Sequence, residues 1–345
     1  MDDSAFMRKA LSMMLESDAE IKVIGTARDG LEAIEKTRNL KPDLVTLDVE
    51  MPRMDGITAL KSIMGETPLP VLMVSSLTVD GAAATVEAMA AGAVDFIPKQ
   101  LSYISLDITK IREELITKVK AIARSRSRLF RKSAISYSPR RLSPARLTSP
   151  GTRLIVIGIS TGGPFSLQKV IPMFPEDFPV PVAIVQHMPP HFTKSLAERL
   201  GSISKLKVQE ATDGMDVTKG NVFIAPGGFH LKFRNDGTVI KTRVAVDPSG
   251  TLHRPSVDVM FESALEAFGP ELIAVVMTGM GRDGLKGARA IRNAGGKVIA
   301  QDEESCVIYG MPRSVVEADL ADAVVPLEDL ASTLNEAVRI SQLQD

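Results

Sequence analysis

Two periodicities alternate along the chain. Residues 4–14 (SAFMRKALSMM) place apolar side chains at helical spacing, with Asp3 or Ser4 suited to cap the start. Residues 21–27 (IKVIGTA) read as a strand, 30–40 (GLEAIEKTRNL) as a helix, and 43–48 (DLVTLD) as a strand apolar on both faces. The turn MPRMDG leads to the helix ITALKSIM. The strand 70–76 (PVLMVSS), the helix GAAATVEAMAA, the short strand AVDFI and the long amphipathic helix LDITKIREELITKVKAIA follow. Strands separated by single helices predict a parallel sheet covered on both faces. A second set starts after residue 150, with buried strands at 153–160, 180–188, 271–279 and 297–302 and an amphipathic helix SVDVMFESALEAF. Within it, 222–228 and 230–242 read as antiparallel partners, with Asn235-Asp236-Gly237 in the hairpin turn.

With 345 residues the chain has room for two domains. The near-neutral total of 41 basic and 42 acidic residues hides a segment, 121–150, with eight Lys or Arg and no Asp or Glu. That segment is also rich in Ser and Pro, so self-repulsion and low apolar content favour a solvated linker over a docking stretch. The expected division is 1–105, then a tail helix and basic linker over 106–150, then 151–345. The basic residues gather in the linker, so a nucleic-acid partner is not expected. One cysteine, Cys306, excludes an internal disulfide and a Cys-cluster zinc site. No apolar run reaches the length of a membrane span and no secretory leader opens the sequence. The expected location is the cytoplasm, with no membrane insertion.

In the first set, Asp2 and Asp3 precede a helix, Asp48 closes one strand, Ser75 closes the next, and Lys99 follows the one after. Ligands of parallel sheets sit outside the carboxyl ends of the strands. Carboxylates meeting there suit Mg²⁺, and a hydroxyl, an ammonium and a carboxylate together suit a phosphoryl group. Singly, each Asp reads as a helix cap or loop residue. At consecutive strand ends the set points to chemistry.

In the second set Ser160 and His187 each end a strand, and Asp283 lies just past the end of another. A serine hydroxyl becomes a nucleophile when an imidazole takes its proton, and a carboxylate fixes and stabilises that imidazole. Thr161-Gly162-Gly163-Pro164 makes a tight turn into a helix whose free N–H groups suit an oxyanion. Gly158-x-Ser160-x-Gly162 matches the nucleophile elbow, but the order Ser, His, Asp is not that of the α/β-hydrolases. A dinucleotide site is disfavoured because Ser160 stands where the middle glycine belongs. His187 and His191 have zinc-like spacing, yet Pro189 and Pro190 between them break a helix and no third ligand is evident. His191 reads as a cap or surface residue and His230 as structural. His253 reads the same way, with substrate contact as the sharper alternative. Met280, between two glycines near Asp283, reads as core or site lining.

Residues 1–105, on Asp2-Asp3, the run LDVEMPRMDG, Ser75 and Lys99, resemble a two-component response-regulator receiver, although Pro98 precedes Lys99 and Gln100 follows it. The resemblance implies a CheY-like, flavodoxin-like fold. Asp48 would be phosphoacceptor to a CheA-type histidine kinase, and Ser75 and Lys99 the switch residues. Mg²⁺ would lie at Asp3, Asp48 and the Glu50 carbonyl, with Asp2 in the acidic pocket. Only Met1 stands before the acidic pair, so we expect a receiver sheet short of its first strand. Residues 152–340 resemble the catalytic domain of the chemotaxis protein-glutamate methylesterases, the CheB family. The matching stretches are IGISTGG, QHMPPHFT, HRPSVD, MTGMGRDG and AQD continuing to GMPR. This resemblance implies a three-layer α/β/α Rossmann-like domain. Its triad would be Ser160, His187 and Asp283, with Thr161 and Met280 shaping the oxyanion site and no cofactor for the ester chemistry. It further implies demethylation of glutamate γ-methyl esters and deamidation of glutamines on methyl-accepting chemotaxis receptors, controlled by phosphorylation. The alternative is a non-enzymatic response regulator whose second domain binds a partner.

Overall fold

The computed structural model describes residues 1–99, 105–129 and 151–342, which belong to two units, Met1–Ala134 and Ile135–Asp345. In the first unit, α1 (Ala5–Glu16), α2 (Gly30–Leu40), α3 (Gly56–Glu66) and α4 (Val79–Ala90) start after Ser4, Asp29, Asp55 and Thr78. Each of these caps accepts a backbone N–H three residues on. Three parallel strands alternate with these helices: β1 (Val45–Asp48), β2 (Val71–Ser75) and β3 (Asp95–Pro98), in spatial order β1-β2-β3. Val45 lies opposite Val71 and Leu72 opposite Asp95. The central strand is buried throughout, and Leu47, Leu60, Ile63, Met73 and Met89 pack as core. A Cβ at position 56 would sit 1.8 Å from the Asp48 carbonyl oxygen, so only glycine lets α3 start against β1.

The expected strand at 21–27 does not form. A strand needs a backbone ladder, and this segment has none. Only its end is tied to the sheet: the Asp2 N–H donates to the Ala27 carbonyl, and the Asp48 N–H donates to Met1. Elsewhere a cavity of about 520 Å³, lined by Ile21, Val23, Gly25, Leu44, Val45 and Val119, borders both the segment and β1.

The long helix α5 (Ser105–Leu129) packs within this unit, against α1. Lys118 Nζ lies 3.0 Å from Asp95 Oδ2 and donates to the Phe96 carbonyl at 2.9 Å. Lys120 bridges Asp18 and Glu20. Residues 130–150 of the basic segment lie outside the described residues.

In the second unit β4 (Leu154–Ile159), β5 (Val182–Gln186), β6 (Lys207–Glu210), β7 (Asn221–Ile224), β10 (Leu272–Val276), β11 (Lys297–Gln301) and β12 (Ala323–Val325) form one sheet. Its order is β12-β11-β10-β4-β5-β7-β6, all parallel. β4, β5 and β10 are buried at every residue, so helices must cover both faces. Those helices form two packed groups. One joins α8 (Val257–Phe268), α9 (Leu285–Asn293) and α10 (Met311–Glu317). The other joins α6 (Gly163–Val170), α7 (Phe192–Ile203) and α11 (Leu327–Gln342). The hairpin lies apart, as a two-stranded antiparallel sheet of β8 (His230–Asn235) and β9 (Ile240–Ala245) around Asn235-Asp236-Gly237. The expected pairing of 222–228 with that hairpin does not occur. β7 instead joins the parallel sheet between β5 and β6, because its Val222, Phe223 and Ile224 are fully buried there. β6 has no buried residue and carries no apolar alternation that would mark it.

The Asp95–Lys118 pair is almost fully buried. Replacing Asp95 with Ala leaves the ammonium with only Glu114 and the Phe96 carbonyl. The expected cost is about 3 kcal/mol in urea unfolding of the first unit. An unchanged midpoint would show that this pair does not hold α5 in place.

Candidate functional site

β4 lies between β10 and β5, and all three end at one edge of the second sheet. Ile159 is in register with Gln186. Ser160 and His187 therefore take the next positions, about 4.8 Å apart between backbones. The His187 N–H donates to the Ile159 carbonyl at 3.2 Å. The loop after β10 is pinned by Gly279, whose N–H donates to Ile308 and whose carbonyl accepts from Gly310 and Met311. A Cβ at 279 would lie 2.8 Å from the Ser160 Cβ, so the loop passes directly over the serine. Asp283 then returns to His187, with Oδ2 2.9 Å from Nε2.

Asp283 also accepts from Ser256 Oγ at 3.0 Å, Val257 N at 2.7 Å and Asp258 N at 3.0 Å. These are the N-cap and first two residues of α8. Burial alone would push this carboxyl up. Hydrogen bonding and charge from His187, with the α8 N–H donors, outweigh it and hold Asp283 well below the ordinary carboxylate range. Its neighbour Asp258 is pushed up to about 6 by burial and by the Asp283 charge, against a hydrogen bond from the Gly287 N–H.

Because Nε2 faces the carboxylate, the proton of a neutral His187 belongs on Nε2. Nδ1 is buried without a hydrogen-bond partner. The ring stacks on His253 at 4.1 Å between centroids and 21° between planes. His230 is fully buried, accepts the Ser256 N–H at Nδ1 and so supports the start of α8. Burial pushes its pKa down. His191 is exposed and immediately precedes α7.

After Ser160 the chain turns through Gly162 (φ +77°) into α6. A Cβ at Gly163 would sit 1.8 Å from Gln186 Oε1. Thr161 is buried, and its carbonyl accepts from Thr278 Oγ1 at 3.0 Å. Among the described residues, the N–H groups of Thr161 and Met280 donate to no backbone carbonyl.

In the first unit, carboxylate oxygens of Asp2, Asp3 and Asp48 lie within 4.8 Å of one another. They form an acidic cluster of the kind that holds Mg²⁺. Lys99 Nζ reaches Asp48 Oδ2 at 2.6 Å and Asp2 Oδ2 at 3.0 Å. Burial raises Asp48 to about 6 despite that ammonium. Ser75 is buried and donates to the Gly81 carbonyl at 3.1 Å. Glu50 is exposed, and its N–H donates to Asp48 Oδ1.

Residues 155–334 match the family model described as CheB methylesterase, and residues 1–108 match the response regulator receiver domain. The chain belongs to the CheB family. It is 48% identical, over 98% of both chains, to protein-glutamate methylesterase/protein-glutamine glutaminase 1 of Oleidesulfovibrio alaskensis. It is 46% identical to the protein-glutamate methylesterase/protein-glutamine glutaminase of Thermotoga maritima, over 98% of this chain and 97% of that one. The crystal structure of the Thermotoga maritima CheB methylesterase catalytic domain is similar with a TM-score of 0.52 at 46% identity. That match covers 55% of this chain and 99% of the other. This CheB-family chain is a protein-glutamate methylesterase and protein-glutamine glutaminase with a receiver domain.

The structure of this CheB-family chain brings Ser160, His187 and Asp283 to one edge, and Asp2, Asp3, Asp48 and Lys99 to another. Sequence reasoning had not singled out Ser256, Asp258 or Thr278. The start of SVDVMFESALEAF, a Ser before an apolar helical run, carried the signal for Ser256. Nothing in the sequence aims that cap at Asp283.

Asp258 allows a test of these electrostatics. Its folded pKa of about 6 lies above that of an unfolded Asp, so folding favours its protonated form. Its contribution is full below about pH 4 and is lost as pH rises through about 6. Asp258→Asn, neutral at every pH, is expected to gain about 1–2 kcal/mol over wild type between pH 4 and pH 8, after discounting for solvent screening. Thermal melts across that range check it, and a constant difference would contradict the shifted pKa.

Proposed function

We infer that Ser160 is the nucleophile of the esterase, His187 its base and Asp283 the orienting carboxylate. The observation that carries this reading is the divided imidazole, with Nε2 on the clamped Asp283 and Nδ1 buried without a partner. Nδ1 accepts the Ser160 Oγ proton as Oγ attacks the glutamate δ-carbonyl carbon. The N–H groups of Thr161 and Met280 receive the negative oxygen of the tetrahedral adduct. Its collapse breaks the bond to the methoxy oxygen, and His187 returns the proton so that methanol leaves. Water, deprotonated by His187, then attacks the acyl-serine. Glutamate leaves and Oγ recovers its proton. With glutamine the first leaving group is ammonia, by the same proton path. Asp283 keeps its charge throughout and stabilises the imidazolium.

In the receiver, Asp48 is the phosphoacceptor, facing a CheA-type histidine kinase. The oxygen-only donor set of Asp2, Asp3 and Asp48, within 4.8 Å of one another, fits a hard divalent cation. Asp3, Asp48 and the Glu50 carbonyl would hold Mg²⁺, with Asp2 beside them, and the ion when bound offsets phosphoryl charge. Lys99 moves from its ion pair to a phosphoryl oxygen, and Ser75 donates to another. The proposed division is a receiver over 1–105, tail helix and linker over 106–150, and the esterase over 151–345. The substrates are methyl-accepting receptors reached from the cytoplasm. No helix among the described residues is long and apolar enough to cross a membrane.

Ser160→Ala is expected to lower methanol release from methylated receptor by about 10³-fold or more, with the melting curve retained. Full activity would remove the serine mechanism. Incubation with phosphorylated kinase and Mg²⁺ is expected to place an acid-labile phosphoryl group on wild type and none on Asp48→Asn. Equal labelling of the two would move the acceptor elsewhere.

A further inference from the structure

Beside the catalytic edge lies a second recess, of about 440 Å³, between α9 and α10. Arg282, Leu285, Arg289, Arg313, Ser314 and Glu317 line it. Three guanidinium groups face one carboxylate, an excess of two positive charges. The carboxylate is taken by Arg313, with Nε 2.6 Å from Glu317 Oε1. Arg282 and Arg289 have no ion-pair partner among the described residues. The basic neighbours of Arg289 on α9 differ: Lys286 pairs with Glu262 and Arg292 with Asp322. Arg282, Arg289 and Arg313 are all exposed.

The recess is joined to the reaction centre by the backbone. Arg282 immediately precedes Asp283. A Cβ at Gly310, which also lines the recess, would sit 3.2 Å from the Met280 Cα, and Gly279 passes over Ser160. On a helix, residues three or four apart lie about 5–6 Å from each other. Arginine forks match carboxylates in charge and shape.

We propose that Arg282, Arg289 and Arg313 form a subsite for an acidic side chain of the substrate polypeptide, about one helical turn from the esterified glutamate. The subsite rests on the esterase reading above and adds to it a rule of sequence preference. Such binding acts alike on ground and transition states, so it lowers KM and leaves kcat nearly alone.

The test compares two synthetic helical peptides with one glutamate γ-methyl ester each. One has Glu three and four residues to either side, the other Gln at those positions. The full-length chain is expected to prefer the acidic peptide by about fivefold in kcat/KM, expressed in KM. Raising the salt to about 1 M is expected to remove most of that preference. In the double variant Arg289→Gln/Arg313→Gln the ratio is expected to fall to about one, with the melting curve retained. Equal hydrolysis of both peptides by wild type, or a preference that survives in the double variant, would overturn the subsite and leave the esterase reading standing. Absence of methanol release from either peptide would overturn both.

Discussion

The carboxylate of Asp283 is the constraint on which this edge of the second sheet depends. A buried carboxyl left alone would protonate, and a protonated Asp283 could neither orient His187 nor stabilise its cation. The α8 N-terminus prevents this by aiming two N–H groups and the Ser256 hydroxyl at the carboxylate. One contact network therefore connects helix and loop. Ser256 is at once the N-cap of α8 and a donor to Asp283, and its own N–H rests on the buried His230. The loop after β10 is drawn onto α8, and the imidazole is drawn to the loop. What looks like a catalytic contact between two side chains is also a packing contact between a sheet edge and a helix.

The close approach that this requires depends on residues without side chains. Gly279 lets the loop lie on Ser160, and Gly163 lets α6 start against Gln186. Thr278 then ties the loops together, donating to Thr161 and accepting from Ile308, while its own N–H is held by Gln301. Ser160 itself is held from neighbouring strand ends, its N–H donating to the Thr278 carbonyl and its carbonyl accepting from Gln186 Nε2. Rigid strands beneath it keep the turn from relaxing.

The strand ends were legible because fully buried parallel strands write themselves as unbroken apolar runs, as in LIVIGI and LIAVV. Polar residues that stop such runs, Asp48, Ser160 and His187, stand out for the same reason. Residues 21–27 alternate like a strand yet form none, since alternation specifies a strand's faces and not its ladder, and here only Ala27 accepts a backbone N–H, that of Asp2. β6 was invisible for the opposite reason. Pairing with β7 holds it, with no buried side chains to mark it. The donors to Asp283 were hidden because two of them are backbone groups of Val257 and Asp258, which carry no residue signature. Residues that touch across the sequence through main-chain atoms escape any reading of side-chain types.

The two buried carboxylates at the sheet edges differ in how their charge is met. Asp283 has three donors from one helix start and a histidine, and its pKa falls. Asp48 has one ammonium, shared with Asp2, and one N–H from Glu50, and burial with the Asp2 charge raises its pKa to about 6. The first arrangement suits a group whose charge must stay constant while a proton moves next to it. The second leaves a carboxylate with few stabilising partners, whose electron density stays available to an electrophile. It also makes the ionisation of Asp48 depend on any cation held among Asp2, Asp3 and Asp48, since added positive charge there lowers its pKa. In this chain a fixed charge is supplied by backbone dipoles, and a switchable one is left to groups that can come and go.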